Sequence, residues 1–230
     1  MVFYGHRAFS KIHHFVMSAL VIRLLVLNIL LVTAPATLFP QEDQVVQKRY
    51  TIQRSSKLFL KGTSNVNAFT CNCEDRFPAQ TFKVENGGQH ALFSNVRLRM
   101  RTRKFNCQNG KIDRDMYKAL KADEFAFISI ELLETWYNPE QLKKAGTNQW
   151  FAVKAKVKLT ITGVTKEQFI EAEAKKTADN QFSLRGEKSL LMTDYGIDPP
   201  GALFGLIKVN DLITFHFNLD ISLEDVSEEQ

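Results

Sequence analysis

Hydrophobic and polar positions change places with a period of two along most of the chain, the pattern of strands that bury one face. Val96-Arg97-Leu98-Arg99-Met100-Arg101-Thr102-Arg103 sets a basic residue at every second place. Val153 to Ile161 repeats the alternation with Lys154, Lys156 and Lys158, and Ile213 to Ile221 repeats it with Thr214, His216, Asn218 and Asp220. Weaker versions predict strands over 49–54, 57–62, 66–73, 80–85, 125–134, 168–174 and 181–192. Helical signals are sparse. Residues 113–121 have an acidic first turn and a basic end, which suits a short helix and its dipole. Residues 138–144, with Pro139 near their start, predict a second helical turn. Gly87-Gly88, Asn109-Gly110 and Pro199-Pro200-Gly201 supply turns between strands.

Many short strands with one or two short helices imply an all-β antiparallel fold. Strands with one apolar and one charged face need a single interior, and closure into a barrel removes unpaired edges. A barrel near eight strands is filled by its own side chains or encloses a ligand, and periodicity does not separate the two.

The N-terminus departs from this pattern. Leu24 to Val32 is an apolar run of signal-peptide length, preceded by Arg23 and followed by Ala34-Pro35-Ala36, a small-x-small cleavage pattern. Arg23 would be costly inside a bilayer, which weighs against an uncleaved anchor over 15–32. The expected organisation is a signal peptide over 1–36 (with Met17 as an alternative start), a polar linker over 37–47, a barrel domain over 48–225 and a tail over 226–230. Export places the mature protein in the periplasm of a bacterial envelope or outside the cell. Three of the 30 bases (Arg7, Lys11 and Arg23) and none of the 25 acids fall in 1–36, leaving 27 bases against 25 acids. That near-balance gives no electrostatic reason to invoke nucleic acid.

Motifs for catalysis are missing from the sequence: no Gly-x-Ser-x-Gly elbow, no phosphate-binding loop, no Gly-x-Gly-x-x-Gly. The mature region holds two histidines, His90 and His216, far apart and outside any metal-ligand spacing. Both read as surface residues, and the arginine and lysine stripes read as solvated strand faces that discourage edge association. Cys71 and Cys73 stand two apart on a strand, where a bridge between them would be strained; pairing of one of them with Cys107 is the structural alternative to thiol-exchange chemistry. The 18 phenylalanines are mostly core, yet they could also line a greasy tunnel.

Five segments, in order, resemble the YceI-like, lipocalin-like polyisoprenoid-binding proteins. They are Leu58-Phe59-Leu60-Lys61-Gly62-Thr63-Ser64-Asn65-Val66-Asn67-Ala68-Phe69-Thr70-Cys71; Val96 to Cys107 with the following Met116-Tyr117-Lys118-Ala119-Leu120-Lys121-Ala122; Leu159-Thr160-Ile161-Thr162-Gly163-Val164-Thr165-Lys166; Met192-Thr193-Asp194-Tyr195-Gly196-Ile197; and Ile213 to Leu223. The chain departs from the family at Phe125-Ala126, where relatives commonly place an aromatic residue and a proline. The resemblance implies an extended eight-stranded antiparallel barrel with a helical cap, an isoprenoid or fatty chain threaded through its interior, and a Cys71–Cys107 disulfide. Alternation selects Val96, Leu98, Met100, Val157, Leu159, Phe215, Phe217 and Leu219 as the interior set, with Ile128 and Ile130 beside them. The expected function is non-enzymatic: to carry or sequester an isoprenoid-tailed lipid, of quinone or polyprenyl type, with no cofactor other than that cargo. Transient membrane contact and homodimerisation are compatible with it. The alternative is an envelope scaffold or stress-related protein whose barrel is filled by its own side chains.

Overall fold

A computed structural model describes residues 45–202 and 206–226. The signal-peptide reading of 1–36 and most of the linker reading lie outside the described residues. The first strand, β1 (Val45–Ile52), already includes the last three residues of the stretch expected as linker.

Among the described residues twelve strands and two helices follow one another. After β1 come β2 (Lys57–Ser64), β3 (Ala68–Cys73), β4 (Gln80–Asn86), β5 (His90–Arg101) and β6 (Phe105–Asn106). Helix α1 (Gly110–Ala119) precedes β7 (Phe127–Tyr137), and α2 (Pro139–Ala145) precedes β8 (Phe151–Ile161). Then come β9 (Val164–Ala178), β10 (Gln181–Leu191), β11 (Gly201–Ala202) and β12 (Ile207–Asp225). All pairings are antiparallel, and β1 bonds to both β4 and β12. The path β1-β4-β5-β7-β8-β9-β10-β12 therefore returns on itself as a ring of eight strands. β2, β3 and β6 form a second path from β12, and β11 pairs with β12 alone.

The second path arises because the first arms of the chain are broken. β12 is 19 residues long and pairs first with β2 (Val209 to Asn218) and then with β1 (Ile221 to Asp225), so β1 and β2 act as two halves of one long strand. Asp220 holds the break: its backbone carbonyl accepts from Gln53 N (2.8 Å), and its carboxylate accepts from Ser55 Oγ (2.6 Å) and Ser183 Oγ (2.7 Å). Asp75 holds the break between β3 and β4. It accepts from the backbone and guanidinium of Arg101 on β5, at 2.7 Å to N and 2.9 Å to Nε.

A bulge reverses the side-chain parity inside β5. Its register with β7 shifts between Leu92 and Val96, where Asn95 has φ 69°. Ala91 and Phe93 face inward before the bulge, and Val96, Leu98 and Met100 after it. β7 begins at Phe127 rather than 125; Phe125 instead packs over Gly163, and its carbonyl accepts from Thr102 Oγ1 at 2.9 Å. Helix α1 begins three residues earlier than its charge pattern suggests. Asn109 is its N-cap rather than a free turn residue, accepting from the Lys111 and Ile112 amides at 3.0 and 3.3 Å.

The interior divides into two clusters. One gathers Tyr50, Phe82, Val84 and Ala91 at the β1–β4 end and is packed with aromatic rings, Tyr50 edge-on to Phe82 at 5.8 Å. The other gathers Leu58, Met100, Phe105, Ile128, Leu159, Tyr195 and Ile197 at the β2–β3 end. It encloses the candidate site.

Candidate functional site

A cavity of about 360 Å3 opens within the second cluster, a volume in the range of small-molecule sites. Its walls are mainly apolar side chains of β2, β3, β5, β6, β7, β8, β9, β10 and β12, with Gln168 of β9 and Lys188 of β10 among them. Helix α1 supplies a further wall. Ile112, Met116, Ala119 and Leu120 recur at i, i+4, i+7 and i+8, so one helical face meets the cavity. The helix is fixed by Tyr117, whose hydroxyl donates to the Phe105 carbonyl at 2.6 Å, and by Asp113, which accepts from Cys107 N at 2.7 Å.

Six of the ten residues chosen by alternation line this cavity: Met100, Ile128, Ile130, Val157, Leu159 and Phe215. Leu98, Phe217 and Leu219 share their parity but pack against the surrounding cluster without reaching the cavity. Val96 lies farther along, in the Tyr50–Phe82 cluster. Position along the strand, not only its face, decides which residues reach the cavity. The α1 face was available from its helical spacing, whereas Tyr195 and Ile197 lie in an aperiodic segment with no such signal.

That segment is held by two parts of the chain distant in sequence. β8 and β9 are joined by Thr162-Gly163, both with positive φ (47° and 77°), the conformation of a type I′ hairpin turn. A threonine is strained there. Its hydroxyl donates to the Tyr195 carbonyl and ties the turn to the 3-10 turn Thr193–Tyr195. Lys166 donates to Asp194 at 2.8 Å on the same segment. The ring of Tyr195 is thereby set into the cavity wall, 1% exposed. Burial pushes its phenol pKa up; the Gln168 amide opposes that rise, but it does not reach the hydroxyl in hydrogen-bonding geometry.

Cys71 is bonded to Cys107, which the register Asn72↔Asn106 places opposite it on β3 and β6. Cys73 stands opposite Phe105 and is a free thiol; burial pushes its pKa up to about 11, which does not suit thiol exchange. His216 stacks on Phe59 at 4.8 Å and meets Glu187 at 3.1 Å on the outer face. The basic stripes are paired: Arg97 with Glu131 and Lys156 with Glu134 and Glu167 across strands, and Arg101 with Asp75 and Arg103 with Asp123 in the adjoining links. Arg99 lies over Phe127 and Lys154 over Phe169. Among the described residues no group of acidic, histidine or cysteine side chains could hold a metal, and no helix is long and apolar enough to cross a membrane.

Comparison with known proteins joins this geometry to the resemblance seen in the sequence. The YceI-like domain signature matches residues 40–221. Among solved structures, a polyisoprenoid-binding domain from Saccharophagus degradans, implicated in plant cell wall breakdown, is similar in fold with a TM-score of 0.55 at 8% identity, over 76% of this chain and 98% of that one. Burkholderia cenocepacia BcnA matches with a TM-score of 0.49 at 13% identity, over 72% and 95%. The YCEI protein of Campylobacter jejuni gives 0.41 at 15% identity, over 62% and 84%. A search of curated proteins found no match.

Proposed function

The chain belongs to the YceI-like domain family, and on that premise we propose that it holds one apolar lipid chain, of prenyl quinone or polyprenyl type, inside its ring of strands. The observation that carries this reading is the cavity itself: apolar side chains from nine strands and one helix line about 360 Å3 instead of filling it. Voids of this size in an apolar interior are destabilising unless something occupies them. Each isoprene unit buried there contributes on the order of a few kcal/mol, so a short stretch of tail supplies useful affinity without catalytic groups. The similar domain from Saccharophagus degradans is itself described as polyisoprenoid-binding. The role is carriage or sequestration outside the cytoplasm, non-enzymatic, with the Cys71–Cys107 bond in keeping with an oxidising compartment.

A scaffold role draws on a different observation, the Tyr50–Phe82 cluster of the interior, whose aromatic and aliphatic side chains pack against one another. Calorimetric titration with farnesol and a two-unit prenyl quinone separates the readings. The carrier reading expects saturable one-to-one binding. In Ile130→Trp, where the indole takes the volume of about one isoprene unit, it expects affinity to fall at least about tenfold with far-ultraviolet dichroism preserved. Equal affinity in both proteins, or none in either, favours the scaffold.

A further inference from the structure

The wall beside the cavity contains a split. β9 and β10 are paired from Ala178/Gln181 as far as Ala172/Gly186 and no farther. Yet β10 stays paired with β12 to Leu191, and β9 stays paired with β8 to Val164. Over 164–171 and 187–191 the two strands thus run on without a ladder between them. Backbone polar groups left out of a ladder need other partners, and one side chain bridges the gap in a solvent-exposed hydrogen bond. Lys188 lies opposite Phe215 on the inward face of β10, lines the cavity, and sends its ammonium across the split to the Phe169 carbonyl at 3.0 Å. Gln168 lines the cavity from the β9 side, opposite Val157. Tyr195 completes the group, with its buried hydroxyl lacking any hydrogen-bond partner among the described residues.

These three groups carry more donors than the protein uses. The ammonium of Lys188 has three N–H bonds, one of which goes to a neutral carbonyl. The nearby carboxylates are engaged elsewhere, Asp194 with Lys166 and Glu187 with His216. A buried phenol O–H without an acceptor is costly to leave unmade. Lys111 and Asp115, the other charged residues of the lining, are both on α1 and carry opposite charges. The complement of such a set is an acceptor oxygen, and a negative one is favoured because charge-assisted hydrogen bonds are about twice as strong as neutral ones.

The geometry points to a headgroup subsite in the β9–β10 split: Lys188, Tyr195 and Gln168 take the oxyanion of a single-chain lipid, carboxylate or phosphate, whose tail fills the cavity. The assignment rests on the lipid-binding reading above and narrows its ligand from any apolar chain to an anionic amphiphile.

Displacement of a fluorescent acyl reporter tests it with matched tails: palmitate against hexadecanol, and geranylgeranyl monophosphate against geranylgeraniol. Wild-type protein is expected to prefer the charged member of at least one pair by roughly tenfold or more. Lys188→Met abolishes that preference, bringing each charged member level with its alcohol, Lys188→Arg retains it, and Tyr195→Phe weakens the anions several-fold. Preference within the palmitate pair alone identifies an acyl carboxylate, and within the prenyl pair alone a prenyl phosphate. Equal affinity for acid and alcohol in the wild type, or a preference that survives Lys188→Met, overturns the subsite while leaving the cavity as a lipid site. Failure of all four tails to displace the reporter overturns the lipid-binding reading and the subsite with it. If Lys188→Met does not fold, the wild-type comparison and Lys188→Arg still decide.

Discussion

Asp75 shows how one side chain can hold a discontinuity in a sheet. Its carboxylate is 3% exposed and receives three hydrogen bonds from Arg101 and one from the Arg76 amide at 2.9 Å. Burial alone would raise its pKa, but the Arg101 hydrogen bonds outweigh burial and hold it below the usual carboxylate range. A depressed folded pKa means stability that is complete above the unfolded value of about 3.9 and lost as pH falls through the folded one. Asp75→Asn is therefore expected to cost about 2 kcal/mol near neutral pH, and the deficit should shrink in denaturant titrations taken below about pH 4. Cys73 has the opposite sign. Its half-buried thiol, raised to about 11, stays protonated through neutrality, so iodoacetamide at pH 8 should label native protein at least roughly a hundredfold more slowly than unfolded protein. Fast native labelling would mean that Cys73 is not packed as described. Asp75 lies in an aperiodic link that no sequence pattern marks, whereas the Cys71–Cys107 bond was implied by the family resemblance and left Cys73 as the free thiol; what the sequence did not show is that the thiol packs opposite Phe105.

At the scale of elements, the strands most legible in the sequence were those with a charged outer face. β8 and β12 alternate as their residues suggest, because Lys154, Lys156 and Lys158 or Thr214, His216 and Asn218 mark the outside. β5 was legible only after Asn95, since the bulge there switches which parity faces inward. The division of β1 from β2 and of β3 from β4 matches the separate strands expected over 49–54 and 57–62 and over 66–73 and 80–85. What holds each break is a distant residue, Asp220 or Asp75, that no local pattern reveals. Close packing between elements yields two tests. A Cβ on Gly186 of β10 would lie 2.6 Å from the ring of Phe217 on β12, so Gly186→Val should cost about 1–3 kcal/mol by overpacking, read as a lower denaturation midpoint. The Cys71–Cys107 bond spans 36 residues that include β4, β5 and β6. Its removal by Cys107→Ser is expected to cost about 4 kcal/mol if the loop-entropy account holds, and reduction of the wild type should match it.

For the whole molecule, a ring of eight strands was foreseeable from one-sided strands and from the family resemblance, but its uneven filling was not. Alternation places Val96, Leu98 and Met100 on one face without saying that the first belongs to a packed aromatic cluster and the last to a cavity. That difference follows from the size of what lies opposite: Phe82, Phe93 and Tyr50 rings fill one end, whereas the other is bounded by a single helix face and a split wall. Packing at one end and space at the other suit a vessel with a closed base. The central claim is that this space belongs to a lipid chain, and native mass spectrometry of the protein purified from a bacterial envelope tests it most directly. The account predicts a one-to-one adduct released by organic solvent and identified in the extract as a prenyl or acyl chain. A protein that arrives empty and stays empty after incubation with prenyl and acyl lipids would contradict it.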